Sequence, residues 1–294
     1  MAIMLYSHAT DKDTAYAGAW GGLAKTRALC ALFVPGDPDV GFAAAKGASE
    51  TALRLDSTQS DAYTARGMVH LFHEQNFPAA QAAFARAISL DSTRFEPWLF
   101  RSWAYIGVSK LDSAVSSVRR AKELQPAGDP IIGVRLATVL RYDGHTEEAE
   151  REVADVLKGD STNRIARAEQ LEIDNEKGRC EGQAAKNLRW VENNPMPWAR
   201  AHVAYHWASC GEPTRARRYA DSVAAEGSTD AYVDFFALAV VYAGLGDTDK
   251  MFQSLSQAVA QHNVLLFFLG RHFAFQPYHG NPKFVALMKK AHVE

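Results

Sequence analysis

Cysteine is scarce in this chain. Only Cys30, Cys180 and Cys210 occur among 294 residues. They lie far apart with no CxxC pair, which argues against a disulfide framework or a zinc ribbon and fits a reducing compartment. An excess of one charge is lacking as well. The 32 Lys plus Arg against 34 Asp plus Glu leave a net charge of -2, so nothing draws the chain broadly toward nucleic acid or an anionic membrane. Short basic clusters at 119–122 and 215–218 read as solvated helix faces. Long apolar runs are missing too: the longest, residues 235–243, has nine consecutive apolar residues, against the roughly 20 that span a bilayer. The first ten residues show neither the charged start nor the apolar run of a secretory signal.

Catalytic signatures are absent. There is no GxSxG, no HExxH and no His-Arg-Asp loop, and Asp234-Phe235-Phe236 lacks the glycine of a kinase magnesium loop. Residues 244–251 (GLGDTDKM) are not followed by Gly-Lys-Ser, so their glycines read as a helix turn and not as a phosphate loop. The acids Glu147, Glu148 and Glu150 read as a solvated face. No enzyme and no cofactor are expected.

What the sequence does have is a repeat. Asp-Ser-Thr recurs at 56–58, 91–93 and 160–162, each time after an Ala-rich amphipathic stretch, as a helix end that also caps the next helix. Equivalent turn points fall near 57, 92, 126, 161, 195, 228 and 263. A period of about 34 residues is the mark of stacked helix-turn-helix units. Each second helix repeats three slots at i, i+4 and i+7, as in Ala80, Phe84 and Ala87, or Ala114, Val118 and Ala121, the spacing of one buried face. The first slot is nearly always Ala, which lets paired helices approach closely. Small residues Gly67, Ser102 and Ala204 mark the crossings, and Gly178, Gly211 and Gly246 the reversals. In the fifth unit the slots fall on Gln183, Asn187 and Trp190, and residues 164–176 are unusually charged, so that unit is expected to be kinked or loosely packed. The second unit is one residue long between Gly67 and Ala80.

These residues resemble the tetratricopeptide-repeat family over nearly the whole chain. The resemblance implies an all-α, right-handed superhelix of about seven helix pairs, a single domain over 1–294 with a capping helix and closing segment in 264–294. Residues 15–18 (AYAG), the Leu-Asp helix ends at 55–56 and 90–91, and residues 280–288 look like the repeat regions C-terminal to bacterial Ser/Thr kinases, class III nucleotide cyclases and winged-helix regulators. That likeness implies a scaffold or sensor of a bacterial signalling system, cytoplasmic, or extracytoplasmic if it belongs to a membrane-anchored parent. Residues 3–13 look like the tail of a preceding second helix, as if an upstream domain had been separated from this chain.

The expected partner is a protein or peptide in a groove lined by first helices. Register assigns to that groove Met68, Leu71, Phe72, Trp103, Ile106, Arg141, Trp198, Tyr205, Tyr232, Phe235 and Tyr242, rich in the aromatic and Arg side chains that dominate interface energies. Large residues at helical spacing also pack between neighbouring repeats, so each position has a second reading as core. A clamp for chaperone-tail carboxylates is not expected: Thr64, Met68, Leu99, Trp103, Gly133 and Ala137 stand where that subtype carries Lys and Asn. Two other readings remain open. His202, His206 and Cys210, at i, i+4 and i+8, are a candidate zinc or enzymatic stripe. Self-association through the first pair, which residues 1–5 cannot fully cover, is the other.

Overall fold

The computed structural model describes residues 1–34, 37–125, 128–193, 196–226 and 233–293. The chain divides into two units, Met1–Pro126 and Ala127–Glu294. In the first, a leading helix α1 (Ala2–Lys12) precedes three antiparallel pairs: α2 (Ala17–Phe33) with α3 (Pro38–Leu55), α4 (Ser60–Met68) with α5 (Phe77–Leu90), and α6 (Glu96–Gly107) with α7 (Leu111–Glu123). In the second, four pairs follow: α8 (Pro130–Tyr142) with α9 (Thr146–Gly159), α10 (Arg164–Glu176) with α11 (Gln183–Val191), α12 (Pro197–Ser209) with α13 (Pro213–Glu226), and α14 (Phe235–Gly244) with α15 (Thr248–Ala260). Two short 3-10 turns, Leu266–Phe268 and Phe273–Tyr278, lead into α16 (Pro282–Lys290). The described residues contain no strand. None of their helices is long and apolar enough to cross a membrane.

The Asp-Ser-Thr triplets explain how a pair ends. In each copy the aspartate carboxylate accepts from the Thr two residues on, through its backbone N–H and its hydroxyl: 2.8 and 2.7 Å at Asp56, 3.0 and 2.6 Å at Asp91, 2.9 and 2.7 Å at Asp160. These bonds, the Thr hydroxyl foremost, hold all three carboxyls below the ordinary range. The triplet thus closes one helix with a tight turn. It does not cap the next. The residues before α4 and α6 make no side-chain cap, and α10 is capped by Asn163, whose side chain accepts from Ala166 N–H.

The slots point inward. Ala80, Phe84 and Ala87, Ala114, Val118 and Ala121, and Met251, Leu255 and Ala258 are all fully buried. A side chain at Gly67 would put its first carbon 2.5 Å from the Phe84 ring, so α4 and α5 cross at contact distance. The extra residue of the second unit is absorbed just beyond: residues Val69–His73 form a single π-helical turn between α4 and α5, the usual way a helix accommodates one inserted residue.

The fifth unit departs from its expected register. Ala184, Asn187 and Val191 face inward, while Trp190 is 45% exposed and lies under the Arg167 guanidinium, 5.4 Å from its ring centroid. Asn187 is tolerated inside because it accepts from Arg167 (2.8 Å) and donates to Asp174 (3.0 Å). The charges of α10 are therefore not a sign of loose packing, since they are spent on buried partners. The capping helix expected from 264–268 is a short 3-10 turn instead.

Candidate functional site

α8, α10, α12 and α14 are the first helices of their pairs, and they stand side by side in the second unit. The face they share is built around Arg141. Its guanidinium is buried and donates from Nε to Glu169 (2.9 Å), from Nη2 to Glu172 (2.5 Å) and from Nη1 to Glu176 (3.3 Å). The three acids sit at i, i+3 and i+7 on α10, one stripe of one helix. Thr138 donates a further bond to Glu169 at 2.8 Å. Burial opposes the Arg141 charge, but Glu169 and Glu172 outweigh it and hold the group protonated beyond its ordinary range. Burial in turn raises both carboxyls against the pull of Arg141.

Across this face runs the chain's own residues 263–278, here termed the strap. At its start Asn263 Nδ2 donates to Asp234 (2.9 Å), the residue that caps α14 by accepting from Ala237 N–H. Phe268 reaches Tyr142 of α8 with ring centres 5.3 Å apart. Phe273 stands edge-on to Tyr205 of α12 at 5.1 Å, and Phe236 of α14 stands edge-on to His272 and Phe275. His272 Nε2 lies 3.0 Å from His202 Nε2, both rings buried. The geometry assigns their hydrogens. Ala274 N–H donates to His272 Nδ1 (3.3 Å), so His272 carries its hydrogen on Nε2 and donates it to His202 Nε2. His202 then keeps its own on Nδ1, which stands 3.6 Å from Glu172 Oε1. Burial and the nearby Arg141 push His202 down to about 3, and burial, His202 and Arg141 take His272 well below its ordinary value.

Glu172, His202 and His272 offer donor atoms within 4.8 Å of one another, so a metal must be tested against them. An ion would need lone pairs from both imidazoles. His272 would then have to place a hydrogen on Nδ1, facing the Ala274 N–H, and Glu172 is already held by Arg141. The hydrogens in place suit a hydrogen-bonded pair of imidazoles better than a divalent ion.

The stripe expected as a zinc site is also redistributed. Cys210 is bonded to Cys180 in a disulfide, with Cα atoms 5.4 Å apart. His206 Nδ1 donates to Asn175 (2.8 Å), whose amide donates to the His202 carbonyl (2.9 Å). His202 itself pairs with the strap. The disulfide corrects the expectation of unpaired thiols. Cys180 follows the end of α10 and Cys210 caps α12, so the two neighbouring helices bring together cysteines 30 residues apart in sequence, a separation with no local signature.

The structure places the expected groove residues as follows. Met68, Leu71, Phe72, Trp103 and Ile106 are buried in the first unit, where Phe72 meets Trp103 edge-on at 5.2 Å, and offer almost no surface. There the first-helix side is tied by Lys25, which donates to Asp61 and Glu96, both at 2.9 Å. Arg141 and Tyr242 are buried in the second unit. Trp198, Tyr205 and Phe235 are half-buried. Tyr232 lies outside the described residues. Sequence reasoning missed Glu169, Glu172, Glu176 and His272. The one signal for the glutamates was the charge of residues 164–176, where an inward face would otherwise be apolar.

No protein-family model matches the sequence, and no curated protein matches it. Solved structures do. The APC/C hetero-tetramer Cut9-Hcn1 matches with a TM-score of 0.62 at 13% identity, over 98% of this chain and 52% of its own. A tetratricopeptide repeat protein from Parabacteroides merdae ATCC 43184 matches with 0.55 at 12% identity, over 86% and 93%. The chain has the tetratricopeptide-repeat fold. Yeast Tom70 matches over 98% of this chain and 61% of its own, with a TM-score of 0.54 at 15% identity. This tetratricopeptide-repeat chain thus spans only about half to three-fifths of Cut9-Hcn1 and Tom70.

Proposed function

We propose that this repeat protein is a non-catalytic scaffold whose first-helix face in the second unit seats a peptide segment of a partner protein. One observation carries the reading. That face already holds an irregular segment of chain, the strap, through aromatic contacts to Tyr142, Tyr205 and Phe236 and a hydrogen bond to His202. Irregular segments leave backbone groups free and need side-chain anchors, and aromatic anchors are the usual source of peptide affinity. Trp198 and Phe235, half-buried on α12 and α14, extend the seat. The disulfide supports an oxidising compartment over the cytoplasm. A role in bacterial signalling rests on the sequence resemblance alone.

A peptide display library panned on the whole protein tests the seat. Enriched sequences should be displaced by a synthetic peptide copying residues 263–278, and Trp198→Ala or Tyr205→Ala should weaken capture about ten-fold or more while leaving the cooperative melt intact. Trp103→Ala, a core substitution, should lower the melt instead. Failure to enrich any displaceable family of sequences overturns the seat.

A further inference from the structure

We infer that residues 263–278 are a pH-released strap, which covers the first-helix face of the second unit at neutral pH and leaves it when the His202–His272 pair takes up protons in mild acid. The inference depends on the peptide-seat reading only for what the uncovered face does next.

The geometry makes the pair intolerant of protons. Two neutral imidazoles share one hydrogen between Nε2 atoms 3.0 Å apart. An imidazolium carries hydrogens on both nitrogens, so a proton on His272 sets Nδ1–H against the Ala274 N–H that now donates to it. A proton on His202 puts hydrogens on both facing Nε2 atoms, unless His272 gives up the same Ala274 bond. The rings are only 4% and 2% exposed, so water cannot take over the lost bonds.

The charges facing the pair do not compensate. From α8 comes Arg141, from α10 Glu169 and Glu172, and the two acids are engaged by Arg141. Glu172 Oε1 stands 3.6 Å from His202 Nδ1, and Glu169 also favours the charged form of His202 without offsetting its burial. α12 adds His206, tied to Asn175; α14 adds Asp234, tied to Ala237 and Asn263; the strap adds the cation Arg271 beside His272. The closed form holds both histidines below the ordinary value of 6.5. A released strap would return them toward that value, so closure is fully favoured above about 6.5 and loses ground as pH falls below it. The shift reaches roughly ten-fold per pH unit for each histidine, and up to about a hundred-fold for the pair.

Hydrogen exchange of the whole protein, corrected for the intrinsic pH dependence of exchange, reads the strap directly. Protection of peptides within 263–278 should fall more than ten-fold from pH 6.5 to 5.5, while α8 and α9 keep theirs. His272→Asn retains an acceptor for Ala274 N–H and His202→Gln an amide toward the strap, yet neither titrates. Each should flatten the slope, and the double variant should abolish it. A strap equally protected at both pH values, or an unchanged slope in the variants, overturns the inference. Peptide capture separates the two readings: a strap that opens in acid without any gain in capture leaves release standing and counts against the seat, whereas strap protection that stays the same in acid counts against release whatever the capture.

Discussion

Arg141 is the residue on which the second unit turns, because it is a buried cation whose three neighbours are all carboxylates. Removing one partner of a buried ion network leaves uncompensated charge and costs about 3–5 kcal/mol. Arg141→Ala should therefore lower the melting temperature by roughly 10 °C for a unit of this size, as calorimetry would show. A fall of only a degree or two would mean that solvent reaches the acids. The aspartates of the three triplets work at the opposite end of the scale. Their carboxyls are held below the ordinary 3.8 in exposed turns, so the stability they lend is complete above that value and fades as pH drops through the lowered one. Titration of the Asp56, Asp91 and Asp160 carboxyl resonances should place all three below 3.8.

Among the elements, α4 and α5 cross at contact distance. Gly67→Ala drives a methyl into the Phe84 ring, and overpacking of this kind costs about 1–3 kcal/mol, measurable as a lower denaturant midpoint. The disulfide joins the loop after α10 to the end of α12, and a link over such a loop contributes roughly 3–4 kcal/mol. Reductant should thus lower the melt of the native protein and leave a Cys180→Ser/Cys210→Ser variant unchanged. Helices and slots were legible beforehand because burial of one face imposes a 3.6-residue period. The register of α11 was not legible, since Asn187 is buried only by virtue of partners on other helices. The π turn was half legible: the surplus residue showed in the spacing between Gly67 and Ala80, but not where the helix would widen to hold it.

For the whole molecule, the seven pairs and the absence of strands among the described residues follow from the period of about 34 residues. What periodicity could not deliver was any relation between residues in different repeats with no shared pattern: Cys180 with Cys210, His202 with His272, Arg141 with α10. The five groove candidates of the first unit illustrate the same limit, because helical spacing does not tell a side chain that packs between repeats from one that greets a partner. Thiol counting on protein prepared without reductant should find Cys30 as the one reactive thiol after denaturation, and three after reduction. Three thiols without reductant would return the chain to a reducing compartment.

The order of the strap in the chain has its own outcome. Residues 263–278 come after every helix they cover, so a ribosome finishes α8 to α14 some seconds before it supplies their cover, at roughly 5–20 residues per second. In that interval the newborn protein presents ion pairs and aromatic rings that no later molecule of it displays at rest, and whatever meets the nascent chain then finds the seat vacant.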